Sequence, residues 1–181
     1  MSFNLPSSRR KRALIIVDVQ SGFLNEENVG IVERIVDLLN QEPYDVIIEC
    51  IFHAEKGSLW DRQTDWYLPK DKDFKTVDEI IHALVGKEVI HVEKETKSVF
   101  KGTVDLNTEF KTRGIEEVHI VGLDANDCVL ATTYESFDLG YFTYVIEDCT
   151  DASSGEHMKE IAFEILRHLN LTDRSCIEKG S

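Results

Sequence analysis

The chain has 181 residues, 42% of them hydrophobic and 30% charged, with a formal net charge of −14. That length suits about one domain with a sizeable core, and the acidic balance argues against nucleic acid, whose phosphates need cationic partners, and against anionic membrane surfaces. No apolar run nears the roughly 20 residues that span a bilayer, and Ala13–Val17 is too short for a secretory segment, so a soluble, cytoplasmic protein with a small-molecule ligand is expected.

In chain order, residues 1–12 form a basic lead-in ending in Arg9-Arg10-Lys11-Arg12, and residues 13–181 are expected to form a single domain. Ala13–Val17 is a fully apolar run, as in a strand buried on both faces. Residues 29–40 carry Ile31, Ile35, Leu38 and Leu39 at helical spacing, and Pro43 marks the stop. Residues 45–51 read as a second strand. A charged loop is expected from His53 to Lys72, longer than most connections. A helix at 76–84 and a strand at 88–92 follow. Residues 104–112 read as helix, with Gly114 as its stop. Then come a strand at 117–121, a helix at 127–139, a strand at 142–147 and an amphipathic helix at 155–169. A short sixth strand is placed near 175–177. Such alternation implies an α/β fold of three layers, with a mostly parallel, about six-stranded sheet and helices on both faces.

The four cysteines, Cys50, Cys128, Cys149 and Cys176, form no C-x-x-C pair and no disulfide-dense pattern. A reducing compartment is expected, without zinc-finger or iron–sulfur chemistry and without a cofactor.

Sites in open α/β sheets form beyond the carboxyl ends of the strands. Three reactive side chains fall there: Asp18 after the first strand, Lys94 after the third, and Cys128 where the fourth strand turns into a helix. Taken singly, each has a plain structural explanation. Asp18 could cap a turn, Lys94 could be one of several solvated lysines beside Lys97 and Lys101, and Cys128 could be a buried core thiol. Together they are complementary: a carboxylate to take a thiol proton, an ammonium to support anions, and a sulfur to attack an acyl carbon. A helix start is also expected to lower the Cys128 pKa.

Asp18-Val19-Gln20-Ser21-Gly22-Phe23 resembles the opening D-x-Q-x-x-F motif of the isochorismatase-like cysteine hydrolases. Lys94 to Thr103 resembles their K-x-x-x-S-x-F-x-x-T segment, and Gly122 to Val129 their G-x-x-x-x-x-C-V segment. Glu147 to Ala152 is similar to the acidic stretch after their fifth strand. The resemblance runs over nearly the whole chain in the family's order. It implies a Rossmann-like fold and an Asp18–Lys94–Cys128 triad, with Asp18 as general base and Cys128 as nucleophile. It further implies an oxyanion hole from the backbone N–H groups of Asp124 and Cys128, and a cis peptide at Leu123–Asp124. Similar proteins form dimers or tetramers, so a homo-oligomer is expected.

Two departures from the pattern narrow the expectation. Nicotinamidases of the family carry a D-x-H metal pair after the second strand, where this chain has Ile51-Phe52-His53. No metal is therefore expected, and His53 is assigned with Phe23 and Trp60 to substrate contact; Trp66 lies in the same loop. Asp124 is acidic where relatives often have a small residue, so its carboxylate alters the pocket. The expected chemistry is hydrolysis of a small amide or carbamoyl C–N bond through a thioester-type intermediate. Vinyl-ether hydrolysis, nicotinamide hydrolysis, and a silent binding or redox role are the alternatives, with Cys149 as a resolving thiol in the last.

Overall fold

The computed structural model describes residues 10–70 and 74–173. Its elements run β1 (Lys11–Val17), α1 (Gly30–Gln41), β2 (Val46–Phe52), α2 (Leu59–Thr64), α3 (Asp78–Ala83), β3 (Val89–Lys94), α4 (Leu106–Arg113), β4 (Ile115–Gly122), α5 (Leu130–Asp138), β5 (Phe142–Thr150) and α6 (Glu156–His168). A 3₁₀ turn, Val99–Lys101, follows β3, and a π-helical turn, Ala125–Val129, precedes α5.

The five strands form one sheet in the order β3-β2-β1-β4-β5, every pair parallel. From β1 the chain builds outward through β2 and β3, then crosses to the other side of β1 for β4 and β5. The strand order therefore reverses between β1 and β4, which opens a crevice at their carboxyl ends.

The central strand explains the apolar run at its start. Ala13, Ile15 and Val17 face one layer and Leu14 and Ile16 the other, all at most 1% exposed. The first layer packs on Phe110 of α4 and Ala162, Phe163 and Leu166 of α6. The second packs on Ile31, Ile35, Leu38 and Leu39 of α1 and Ile80 of α3.

Three elements differ from the sequence-based expectation. Among the described residues the sheet has five strands rather than about six. Thr172 makes one parallel bridge to Val145, and the strand expected near 175–177 lies outside the described residues. The 53–72 loop contains the short helix α2, whose first turn is capped by Ser58, Oγ accepting from the Asp61 N–H at 3.3 Å. β5 runs on to Thr150, so Cys149 is a strand residue with its side chain in the α1 layer.

Candidate active site

β1 ends at Val17, and the next residue, Asp18, takes a left-handed backbone with φ 51°. Aspartate tolerates that region better than most residues. The turn reverses the side chain into the crevice, where Asp18 is 1% exposed. β4 comes equally close on the other side. Gly122 has φ 113°, and a Cβ there would lie 2.2 Å from the Val17 carbonyl oxygen. Only glycine lets β4 end against β1 at this point, which carries Leu123–Cys128 alongside Asp18. The Leu123–Asp124 peptide is cis.

Lys94 is the last residue of β3, at the sheet edge, and its side chain reaches over Phe52 of β2, with Nζ 4.9 Å from the ring centre. The segment after Lys94 is tied down twice. Gly102 packs so tightly that a Cβ would meet Val92 Cγ1 at 2.4 Å. The Val99 N–H donates to Thr132 Oγ1 at 3.1 Å, and that hydroxyl donates to the Cys128 carbonyl at 2.7 Å. One threonine of α5 thus joins the Lys94 and Cys128 segments.

The result is a buried cluster. Lys94 Nζ donates to Asp18 Oδ2 at 2.6 Å and to Cys128 Sγ at 3.3 Å. Asp18 Oδ1 is buried with no hydrogen-bond partner. Lys94 is 2% exposed and Cys128 8%.

Burial is the largest single influence on each of the three groups. It pushes the Asp18 carboxyl up, and the Lys94 ammonium offsets part of that. Burial works against the Lys94 charge, but Asp18, Cys128 and Cys50 outweigh it, and Lys94 holds its proton more tightly than usual. The 2.6 Å contact of Lys94 Nζ with Asp18 Oδ2 is that of a carboxylate–ammonium pair. Cys128 departs from expectation. Burial first, and the Asp18 carboxylate second, push its thiol well above the usual range, with Lys94 pulling the other way. The helix-start effect seen in the sequence is overridden because the sulfur is out of water beside an anion. The resting group is a thiol.

A cavity of about 280 Å³ opens over this cluster. Asp18 and Cys128 lie at its floor, with Leu123, Asp124, Asp127 and Ser153 on one wall. The other wall is aromatic: Phe23, Phe52, Trp60 and Trp66. Phe52 is stacked with Trp66 at 5.9 Å and edge-on to Trp60 at 5.1 Å, and Phe23 lies 5.9 Å from Trp66. Trp60 is held by its indole N–H donating to the Glu95 carbonyl at 2.8 Å.

Phe23 and Trp60 are thus brought to the cavity, and His53 is not among its lining residues. His53 is 9% exposed and packs edge-on to Phe74 at 5.6 Å, with Glu95 and Glu93 beside it at 3.4 and 3.8 Å. A metal does not fit there. Ile51 supplies no donor, Glu93 is paired with Lys70, and among the described residues no three His, Cys, Asp or Glu converge to hold an ion. Cys149 lies in the opposite layer from Cys128, whereas Cys50 shares its layer and is the thiol that senses it.

Sequence reasoning missed Phe52, Asp127 and Ser153 as wall residues and Gln20 as a clamp. Gln20 Nε2 donates to the carbonyls of Phe52 and Phe74 at 3.0 and 2.5 Å, and its Oε1 accepts from the Phe52 N–H at 2.7 Å. The signal for Phe52 was its place at the carboxyl end of β2.

The sequence model of the isochorismatase domain matches residues 12–174. The chain is 35% identical over 153 residues to an uncharacterised isochorismatase family protein, YrdC, of Bacillus subtilis strain 168, covering 78% of this chain and 74% of that protein. It is 25% identical over 169 residues to a probable inactive nicotinamidase of Arabidopsis thaliana, covering 81% and 84%. The fold is similar to that of N-carbamoylsarcosine amidase from Thermoplasma acidophilum, with a TM-score of 0.70 at 21% identity, over 90% of this chain and 94% of that one.

Proposed function

Because the chain belongs to the isochorismatase family, we propose that it hydrolyses a C–N bond of a small amide or carbamoyl compound, with Cys128 as nucleophile. The observation that carries this is the contact of one ammonium, Lys94, with both a carboxylate and a thiol beneath a cavity that opens to the surface. N-carbamoylsarcosine amidase, which shares the fold, is by its name an enzyme of this reaction class.

The chemistry follows from the charges. Asp18 takes the Cys128 proton as the sulfur attacks the carbonyl carbon, so the thiolate forms in the reaction step and not at rest. The N–H groups of Asp124 and Cys128 stabilise the oxyanion, a role worth about 10²–10³ in rate per donor elsewhere. Collapse breaks the C–N bond while Asp18 passes its proton to the departing nitrogen. Asp18 then takes a proton from water as its oxygen attacks the thioester, and collapse releases the acid and the Cys128 sulfur, to which Asp18 returns the proton. Lys94 stays an ammonium throughout, keeping Asp18 ionised between its proton transfers and supporting the negative charge that develops on the sulfur.

Ammonia release from primary amides, carbamoyl compounds and ureides is the test, with Cys128→Ser as control. Turnover of at least one compound by the native protein, lost in the variant, is expected. Release that persists in the variant contradicts the assignment.

A further inference from the structure

Asp124 stands on the cavity wall at the carboxyl end of β4, two residues past Gly122. Three carboxylates line the cavity: Asp18, Asp124 and Asp127. Two are neutralised. Asp18 takes the Lys94 ammonium, and Asp127 takes Lys97, whose Nζ also lies 4.5 Å from the Trp60 ring centre. Asp124 has dipoles only. Its Oδ1 accepts from the Ser153 N–H at 2.5 Å and its Oδ2 from the Ser153 hydroxyl at 2.8 Å. Among the described residues no cation lies within ion-pair range of it; its charged neighbours include Asp18, Asp127 and Asp151, and burial first, with that like charge, pushes its carboxyl up.

Each carboxylate oxygen has a second lone-pair direction left after these bonds. A carboxylate on a pocket wall, held rigidly and without a counter-ion, is arranged to receive a cation or a strong donor. The facing wall agrees. Phe23, Phe52, Trp60 and Trp66 line it, Phe52 and Trp60 already lie near the ammonium groups of Lys94 and Lys97, and aromatic rings attract cations. The two lysines that approach the cavity are already paired, so neither is left to receive a substrate carboxylate. The net charge of −14 adds a general pull on cations.

We infer that Asp124 and the aromatic wall select substrates whose non-reacting end carries a positive charge, so that the amide hydrolysed is that of an amine-bearing compound and not of an acid. This rests on the amide-hydrolase reading above and names its substrate class. Asp124 is a specificity residue in this role, separate from the oxyanion contact of its backbone N–H. A merely structural Asp124, tying the β4 exit to Ser153, would affect all ligands alike.

Binding to the Cys128→Ala protein separates the two without turnover. Three benzamides that differ only at the para position are compared by calorimetry: aminomethyl (cationic), hydroxymethyl (neutral) and carboxylate (anionic). The cation is expected to bind roughly tenfold tighter than the neutral compound, and the anion more weakly still. Added Asp124→Asn should bring the cation and the neutral compound within about twofold of each other. Added Ser153→Ala, which removes a hydroxyl tie and no charge, should keep the preference. Equal binding of cation and neutral compound, tighter binding of the anion, binding of none of the three, or a preference that survives Asp124→Asn would each overturn the inference. Because these are binding measurements, a failed ammonia screen would count against the hydrolase reading alone.

Discussion

At the scale of single residues the site turns on the protonation state of one sulfur. Cys128 is held as a thiol by burial and by Asp18, while Lys94 alone among the near groups favours the thiolate. Two outcomes follow. With a thiol pKa above 9, less than about 1% is thiolate at pH 7, so iodoacetamide labelling of Cys128 should be slow there. The rate should climb about tenfold per pH unit to pH 9 without a plateau; a plateau below pH 7 would show a preformed thiolate. Lys94→Ala removes the one favourable charge and should slow labelling further at every pH in that range, and equal rates would remove Lys94 from its role. The meeting of Asp18, Lys94 and Cys128 was readable from the sequence, since strand ends and a helix start carry a spacing. The thiol state was not, because it depends on how much of the chain closes over the sulfur.

At the scale of elements, the site is placed by strand ends that only glycine permits. Gly122→Ala would set a Cβ 2.2 Å from the Val17 carbonyl, at a backbone angle unfavourable to any side chain. Either β1 and β4 part or the turn at Asp18 shifts, so a stability loss of at least about 3 kcal/mol is expected in thermal or urea unfolding. A loss below 1 kcal/mol would mean the close approach is relaxed in solution. The strands were legible because their apolar runs are buried on both faces, and α1 because its period is clean. α2 was hidden by charge: residues 59–64 read as loop, although Ser58 and Asp61 stand at capping distance and mark a helix start. The extension of β5 was masked by the polar Asp148 and Thr150 around Cys149. The convergence of Phe52, Trp60 and Trp66 was not legible, because it depends on how α2 folds back over the end of β2.

At the scale of the whole molecule, three thiols among the described residues are buried in the two core layers, and burial raises the pKa of each of Cys50, Cys128 and Cys149. Above about pH 8.5 the unfolded chain releases those protons and the folded chain keeps them. The unfolded state then binds fewer protons, so their contribution to stability is full below that pH and falls as pH rises, by about 1.4 kcal/mol per unit for each thiol. Melting temperature should drop between pH 8 and 10, and Cys149→Ala, in the core layer opposite Cys128, should flatten that drop; an unchanged slope would contradict the buried-thiol origin. The α/β architecture and the parallel sheet were legible from alternation alone, since each strand–helix unit can bury its apolar faces in few ways. The role of Cys128 is tested most directly by intact mass spectrometry of the protein quenched during turnover of an amide found in the ammonia screen. A mass increase equal to the acyl group, mapped to the Cys128 peptide and absent from Cys128→Ala, is expected. Hydrolysis with no adduct on Cys128, at a rate unchanged in Cys128→Ala, would contradict it.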